Sequence, residues 1–148
     1  MKKYDIAAIG EMLIDFIPCG ISDSGKTVLE PKEGGAPCNV LAMAEKLSKK
    51  TAFIGKVGAD AFGEMLIDTA SRAGIYTGGV VKDENVFTTL AFVSLNEEGD
   101  RSFSFARKPG ADTCLNKDEL SHDIIQNTKI FHFGTLSMTD EPVKSATK

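Results

Sequence analysis

Tryptophan is absent from the 148 residues, tyrosine occurs twice and cysteine three times. The cysteines, Cys19, Cys38 and Cys114, are odd in number and no two stand in a CxxC spacing. That argues against a disulfide framework and a thiolate metal site, and free thiols fit a reducing cytosol, so a cytoplasmic protein is expected. Excess positive charge is also missing. Seventeen Lys and Arg against twenty-one Asp and Glu leave a net charge of −4, which offers no footprint for a nucleic acid or an anionic membrane. No apolar run approaches the roughly 18 residues of a membrane span, and the charged N-terminus lacks a signal-peptide core. What is present is 42% hydrophobic residues and 26% charged ones, enough apolar material for one core and too much for a disordered tail.

The patterning is that of an α/β chain. Residues 4–10 (YDIAAIG) and 51–57 (TAFIGKV) are short, nearly continuous apolar runs of the kind buried on both faces of a parallel sheet. Between them, residues 12–17 alternate, with Met12, Ile14 and Phe16 on one face and Leu13, Asp15 and Ile17 on the other. Residues 18–33 are rich in Gly, Pro, Ser and charge and read as loop or weak strand. Gly34-Gly35-Ala36-Pro37 then feeds a helix over residues 39–50. A second helix follows residue 60, with Asp60 as its cap and Gly74 as its close. Residues 75–81 form a weaker strand, and residues 87–95 and 101–107 form a hairpin joined at Asn96-Glu97-Glu98-Gly99-Asp100, with Phe103, Phe105 and Arg107 on one face of its second arm. A short helix over 118–127 and a buried strand over 130–134 complete the pattern. Asp140-Glu141-Pro142 is a helix-start signature shortly before Lys148. The chain is accordingly expected to be the first part of a longer α/β protein.

Four segments carry more than pattern: 10–16 (GEMLIDF), 34–39 (GGAPCN), 55–63 (GKVGADAFG) and 103–112 (FSFARKPGAD). Together and in this order they resemble the N-terminal half of the PfkB, or ribokinase-like, carbohydrate kinases, with bacterial fructokinases the nearest in kind. The resemblance covers essentially all 148 residues. It implies a doubly wound, mostly parallel sheet, with a small β-sheet lid built from residues of about 12–17 and 87–107. All of residues 1–148 would be the N-terminal portion of one kinase domain. It further implies transfer of a phosphoryl group from ATP, with Mg²⁺, to a sugar hydroxyl, most readily that of fructose.

On the residues alone, Asp15 is the most telling position: a carboxylate on an apolar strand face is costly unless its oxygens are satisfied, and sugar hydroxyls would satisfy them as well as a structural Arg would. Gly34 and Gly35 let the backbone approach a ligand, or merely form a turn. Asn39 could read a hydroxyl or serve as a local cap. Phe105 could pack on a sugar face, and Arg107 could hydrogen-bond its oxygens or balance an acid. The resemblance assigns Asp15, Gly34, Gly35, Asn39, Phe105 and Arg107 to the sugar. Ala91 is expected to matter only by being small. Gly58, Asp60 and Gly63 read as scaffold, His132 as a packed strand residue, His122 as solvent-facing and the cysteines as inert. Ribokinases proper place an acidic ligand where this chain has Gly134 and Thr135, which favours a ketose over ribose.

No GxxxxGK[ST] and no GAGD, the motif that supplies the family's catalytic base and anion hole, occurs in the sequence. No catalytic residue and no metal ligand is therefore assigned, and the 148 residues alone are expected to be inactive. Two other readings stand beside the fructokinase one. The first is a non-catalytic sugar-binding or regulatory module. The second is a kinase of the same family acting on 2-keto-3-deoxygluconate or a nucleoside. A homodimer through the lid, using Met12, Ile14 and Phe16, is a further expectation.

Overall fold

The computed structural model describes residues 2–95 and 100–148; the expected hairpin turn at 96–99 lies outside the described residues. Two four-stranded sheets form the frame. The first contains β1 (Tyr4–Ile9), β4 (Thr51–Gly58), β5 (Tyr76–Asp83) and β8 (Thr128–Phe133) in the order β5-β4-β1-β8, and every pairing in it is parallel. The second contains β2 (Leu13–Ile21), β3 (Thr27–Gly34), β6 (Leu90–Leu95) and β7 (Arg101–Ala106) in the order β3-β2-β6-β7. Helices α1 (Ala36–Lys46), α2 (Ala61–Arg72), α3 (His122–Gln126) and α4 (Val143–Thr147) flank the parallel sheet.

The continuous apolar runs are explained by two cores, one on each face of that sheet. Ala8, Phe53 and Val57 point to one side and pack with Leu41 of α1 and Leu66 and Ala70 of α2. Ala7, Ile9, Ala52 and Ile54 point to the other and pack with Leu115, Ile124 and Val143. Period-2 alternation cannot appear in the sequence of a strand whose two faces are both dry. The chain runs from β1 outward to β4 and β5, then crosses back to place β8 on the opposite side of β1. The strand order therefore reverses beside β1, and in such sheets the crevice at the carboxyl ends of the strands is where ligands bind.

Three expectations need correction. Residues 18–33 are mostly strand: β2 runs on to Ile21 and β3 pairs antiparallel with it across its length. The sequence hides β3 because nearly all of it is solvent-exposed, so charged residues occupy both faces. The strand expected over 130–134 is present as β8, paired with β1, but it is not buried: it lies at the sheet edge and Ile130, Phe131 and Phe133 are exposed at 61%, 40% and 52%. Met12 and Ile14 are not a free face for a second subunit; both are buried in the core with Phe53 and Leu66. Phe16 beside them stacks on Phe92 at 5.1 Å and meets Phe62 edge-on at 5.7 Å.

Gly58, Asp60 and Gly63 act as scaffold. The Asp60 carboxylate accepts hydrogen bonds from the Phe62 and Gly63 amides, capping α2, and from the Thr88 amide and hydroxyl. A Cβ at Gly63 would fall 2.0 Å from the Gly58 carbonyl oxygen, so the helix start and the strand end meet too closely for any side chain. Asp60→Ala therefore removes a helix cap together with a tether to the segment entering β6. It is expected to cost about 2 kcal/mol, the upper end for a cap, read as a lowered urea midpoint with unchanged slope.

Candidate functional site

The second sheet presents one residue from each strand in a single row. Asp15 of β2 is paired with Lys32 of β3 and with Ala91 of β6, and Ala91 with Phe105 of β7. Directly paired residues share a face, so Lys32, Asp15, Ala91 and Phe105 line up in that order. Ala91, the residue between the carboxylate and the ring, is fully buried. Phe105 is exposed and stacks on Phe103 with centroids 6.1 Å apart. Lys32 is exposed and pairs with Glu30 at 3.2 Å, leaving Asp15 aside. Burial alone pushes the Asp15 carboxyl above the usual carboxylate range, with no hydrogen bond or neighbouring charge to offset it. This half-buried acid has acceptor capacity that the described residues leave unused.

Gly34 and Gly35 close this face at the junction of β3 and α1. A Cβ at Gly34 would lie 2.4 Å from Oδ2 of Asp15, so any other residue would displace the carboxylate. Gly35 has φ +120°, and a Cβ there would come 2.4 Å from the Glu11 carbonyl oxygen. Only glycine combines that backbone angle with that approach. Asn39 lies in the first turn of α1, its amide bonded to the Gly35 carbonyl at 3.0 Å. Its exposed side chain takes no part in capping, since the helix starts at Gly35 with no side-chain cap. Asn39 thus keeps both its donor and its acceptor for solvent or a ligand.

Arg107 does not stand open beside Phe105. It follows the end of β7 and turns inward, placing Nε 2.9 Å and Nη2 2.7 Å from Oδ2 of Asp112. Its Nη1 lies 3.4 Å from Oδ2 of Asp140. Asp112 is buried at 3% exposure, and its other oxygen accepts from the Thr89 hydroxyl. Nη2 touches Asp112 without a well-aligned hydrogen bond and keeps unspent donor capacity. Phe105, Arg107, Lys108, Leu136 and Asp140 line a cavity of about 280 Å³ beside the row.

Sequence reasoning missed Glu11, Thr89, Asp112 and Asp140. Glu11 is buried at 4% exposure and accepts the Ala36 amide at 3.0 Å, fastening the start of α1 to the end of β1. Its position directly after an apolar strand was the available signal; a polar residue there lies at the carboxyl edge of the sheet. Cys38, beside the glycine turn, has its thiol pushed up to about 11 by burial and then by Glu11, which keeps it inert. His122 is exposed and His132 half-buried on β8. Among the described residues no three His, Cys, Asp or Glu converge on a point that a metal ion could occupy, and no helix is long and apolar enough to cross a membrane.

Comparison with known proteins gives the family of the chain. The model of the pfkB family carbohydrate kinases matches residues 3–147. A probable fructokinase-5 of Arabidopsis thaliana is 46% identical over 143 residues, covering 95% of this chain and 44% of its own length. The crystal structure of a fructokinase from Xylella fastidiosa superposes with a TM-score of 0.92 at 36% identity, over 99% of this chain and 45% of that one. The same enzyme with bound ATP gives 0.90 at 35% identity, over 99% and 44%. The chain thus spans less than half the length of the relatives it matches.

The Arg107 cluster makes a direct prediction. Arg107→Met leaves the buried Asp112 without a counter-ion and is expected to destabilise the protein by about 3–5 kcal/mol. Adding Asp112→Asn should recover most of that loss in equilibrium urea denaturation, because the uncompensated charge is gone.

Proposed function

Because this chain belongs to the pfkB family of carbohydrate kinases, we propose that it forms the acceptor-binding half of an ATP-dependent fructokinase acting in the cytoplasm. The observation that carries the reading is the Asp15 carboxylate, half-buried on the lid face, cleared by Gly34 and unpaired by any described residue. A polyol supplies the several adjacent O–H donors that such an acid needs. Gly34 borders the same face, Asn39 follows the glycine turn with its side chain exposed, and Phe105 lies on the far side about 10 Å away, two strand spacings from Asp15. The fructokinase names of the relatives support the ketose.

Charge separates fructose from an acidic acceptor. The guanidinium nearest the row is already shared by Asp112 and Asp140, and Asp15 adds a further negative group. A sugar acid such as 2-keto-3-deoxygluconate would bring its carboxylate beside Asp15 with Arg107 already engaged and only the exposed Lys32 and Lys108 left to meet it, whereas fructose needs no counter-ion. Arg107 can still turn Nη2 or Nη1 toward a hydroxyl, Asp140 being its more exposed and more weakly held partner.

Phosphoryl transfer also requires donors for the moving charge and a metal ion bridging nucleotide oxygens. ATP with Mg²⁺ supplies that chemistry in our reading, but the described residues do not converge on a metal site and the sequence has no GAGD. We therefore place the nucleotide half outside these 148 residues and assign no catalytic step to a residue within them. Their task is to hold and orient the acceptor hydroxyl. Self-association is supported by the lid margin, where Ile21, Leu29 and Phe92 line a groove of about 550 Å³.

The test is an ADP-release assay with fructose on the complete polypeptide encoded with this sequence and on residues 1–148 alone. The complete polypeptide should turn over and the 148 residues should not. Silence from the first rejects the kinase, and turnover by the second rejects the division of labour. In the complete polypeptide Asp15→Asn is expected to raise the fructose KM about 10- to 100-fold, the loss of a charge-assisted hydrogen bond of about 1.5–3 kcal/mol. The KM for ATP should stay put.

A further inference from the structure

Glu11 joins β1 to β2 at the reversal point of the parallel sheet, and only half of its carboxyl group is accounted for. Oε1 accepts the Ala36 amide at 3.0 Å, while Oε2 is buried with no partner among the described residues. Beyond Oε2 lies Gly134 at the end of β8, where a Cβ would come 3.7 Å from this oxygen and 3.1 Å from Pro37. An ionised oxygen left unpaired in a dry site is far more costly than a neutral one.

The groups that face Glu11 provide no cation to spare. They are Asp112 from the turn after β7, Arg107 from the end of β7, and Cys38 from α1. Asp112 repels a second negative charge, the Cys38 thiol stays protonated, and the charge of Arg107 is shared between Asp112 and Asp140, although its Nη2 has no hydrogen-bond partner. Burial is the largest influence on Glu11 and drives its carboxyl above the usual range; Asp112 adds to the rise, and the Glu11 and Ala36 amides and Arg107 oppose it.

We propose that Glu11 is a positioning residue for the acceptor, acting as a neutral carboxyl group whose hydrogen bond to Ala36 sets the Gly34–Gly35 turn against which Asp15 holds the sugar. The proposal rests on the sugar-kinase reading above. It predicts that an amide can replace this acid, since Gln keeps the Oε1 acceptor and carries no charge, whereas an apolar side chain of similar length cannot.

The experiment compares Glu11→Gln and Glu11→Met in the complete polypeptide by steady-state kinetics, alongside infrared difference spectroscopy of the wild type against Glu11→Gln. Glu11→Met should raise the fructose KM about tenfold or more, and Glu11→Gln should restore it to within about threefold of the wild type, with kcat and the ATP KM changed less than about threefold in both. A protonated-carboxyl band should be present in the wild type at neutral pH and missing from Glu11→Gln. The proposal is overturned if Gln raises the KM as much as Met does, if neither changes it, or if the infrared band is absent. Should Glu11→Met fail to fold, the Gln variant and the band decide. A wild type that folds but does not phosphorylate fructose rejects the kinase reading instead, and the infrared result still stands on its own.

Discussion

The approach of the Gly35 backbone to the Glu11 carbonyl is the contact on which the arrangement depends. The chain leaves the parallel sheet for the lid between β1 and β2 and returns between β3 and α1. Glu11 sits at the first crossing and Gly35 at the second, and the two crossings touch so closely that a Cβ at Gly35 would come 2.4 Å from the Glu11 oxygen. The hydrogen bond from the Ala36 amide to Glu11 ties the same two segments through a side chain. This seam sets the register of β2 against β3, and thereby puts Asp15 beside Gly34, the residue that gives it room. Enlarging Gly35 would move the lid, the helix start and the carboxylate together.

The lid has a second seam at its other pair of crossings. Thr89 lies just before β6 and Arg107 just after β7, and Asp112 receives both, one on each carboxylate oxygen. A buried ion pair is weak evidence for net stability, because desolvation takes back much of the Coulomb gain. Its value here is geometric: the pair fixes where the Phe105 arm leaves the body of the protein. Asp140, on the segment after β8, reaches the same guanidinium from the far side at 3.4 Å and remains largely exposed. The lid is thus held at two points bordering the row of Asp15 and Phe105, which restricts its own freedom.

Much of this was legible in the sequence, and the limits have physical causes. Continuous apolar runs identified β1 and β4 because both faces of each are dry. The acid at position 15 stood out because it interrupts an apolar alternation, and the glycine pair because a helix follows it at once. Strand β3 was hidden, since an exposed strand that borrows its order from β2 needs no apolar face of its own. The partners of Arg107 were hidden for another reason. Asp112 reaches it through a short 3-10 turn and Asp140 from 33 positions along the chain, and neither periodicity nor composition records such long-range folding. Glu11 was read past because buried acids are rare enough that a glutamate in a polar-looking turn is taken for surface.

Two unpaired carboxyl groups flank the glycine turn, and their surroundings give them different tasks. Asp15 is half-buried on an open row, where water or a hydroxyl can reach it, and burial is the whole of its perturbation. It can remain ionised by accepting hydrogen bonds from whatever fills the row, so its charge is available to a ligand. Glu11 is buried, with Asp112 and Arg107 as neighbours and one oxygen without a hydrogen-bond partner among the described residues. Any ligand that entered would have to displace Pro37 or the glycine turn to touch it, for Pro37 is itself buried and lies against the Gly134 position. Burial raises both carboxyl groups, so what separates them is access: Asp15 lies on the open row and Glu11 beneath the glycine turn. On the proposed reading the open acid grips the acceptor and the sealed one holds the turn beside it, so a view of the site centred on Asp15 alone describes only half of it.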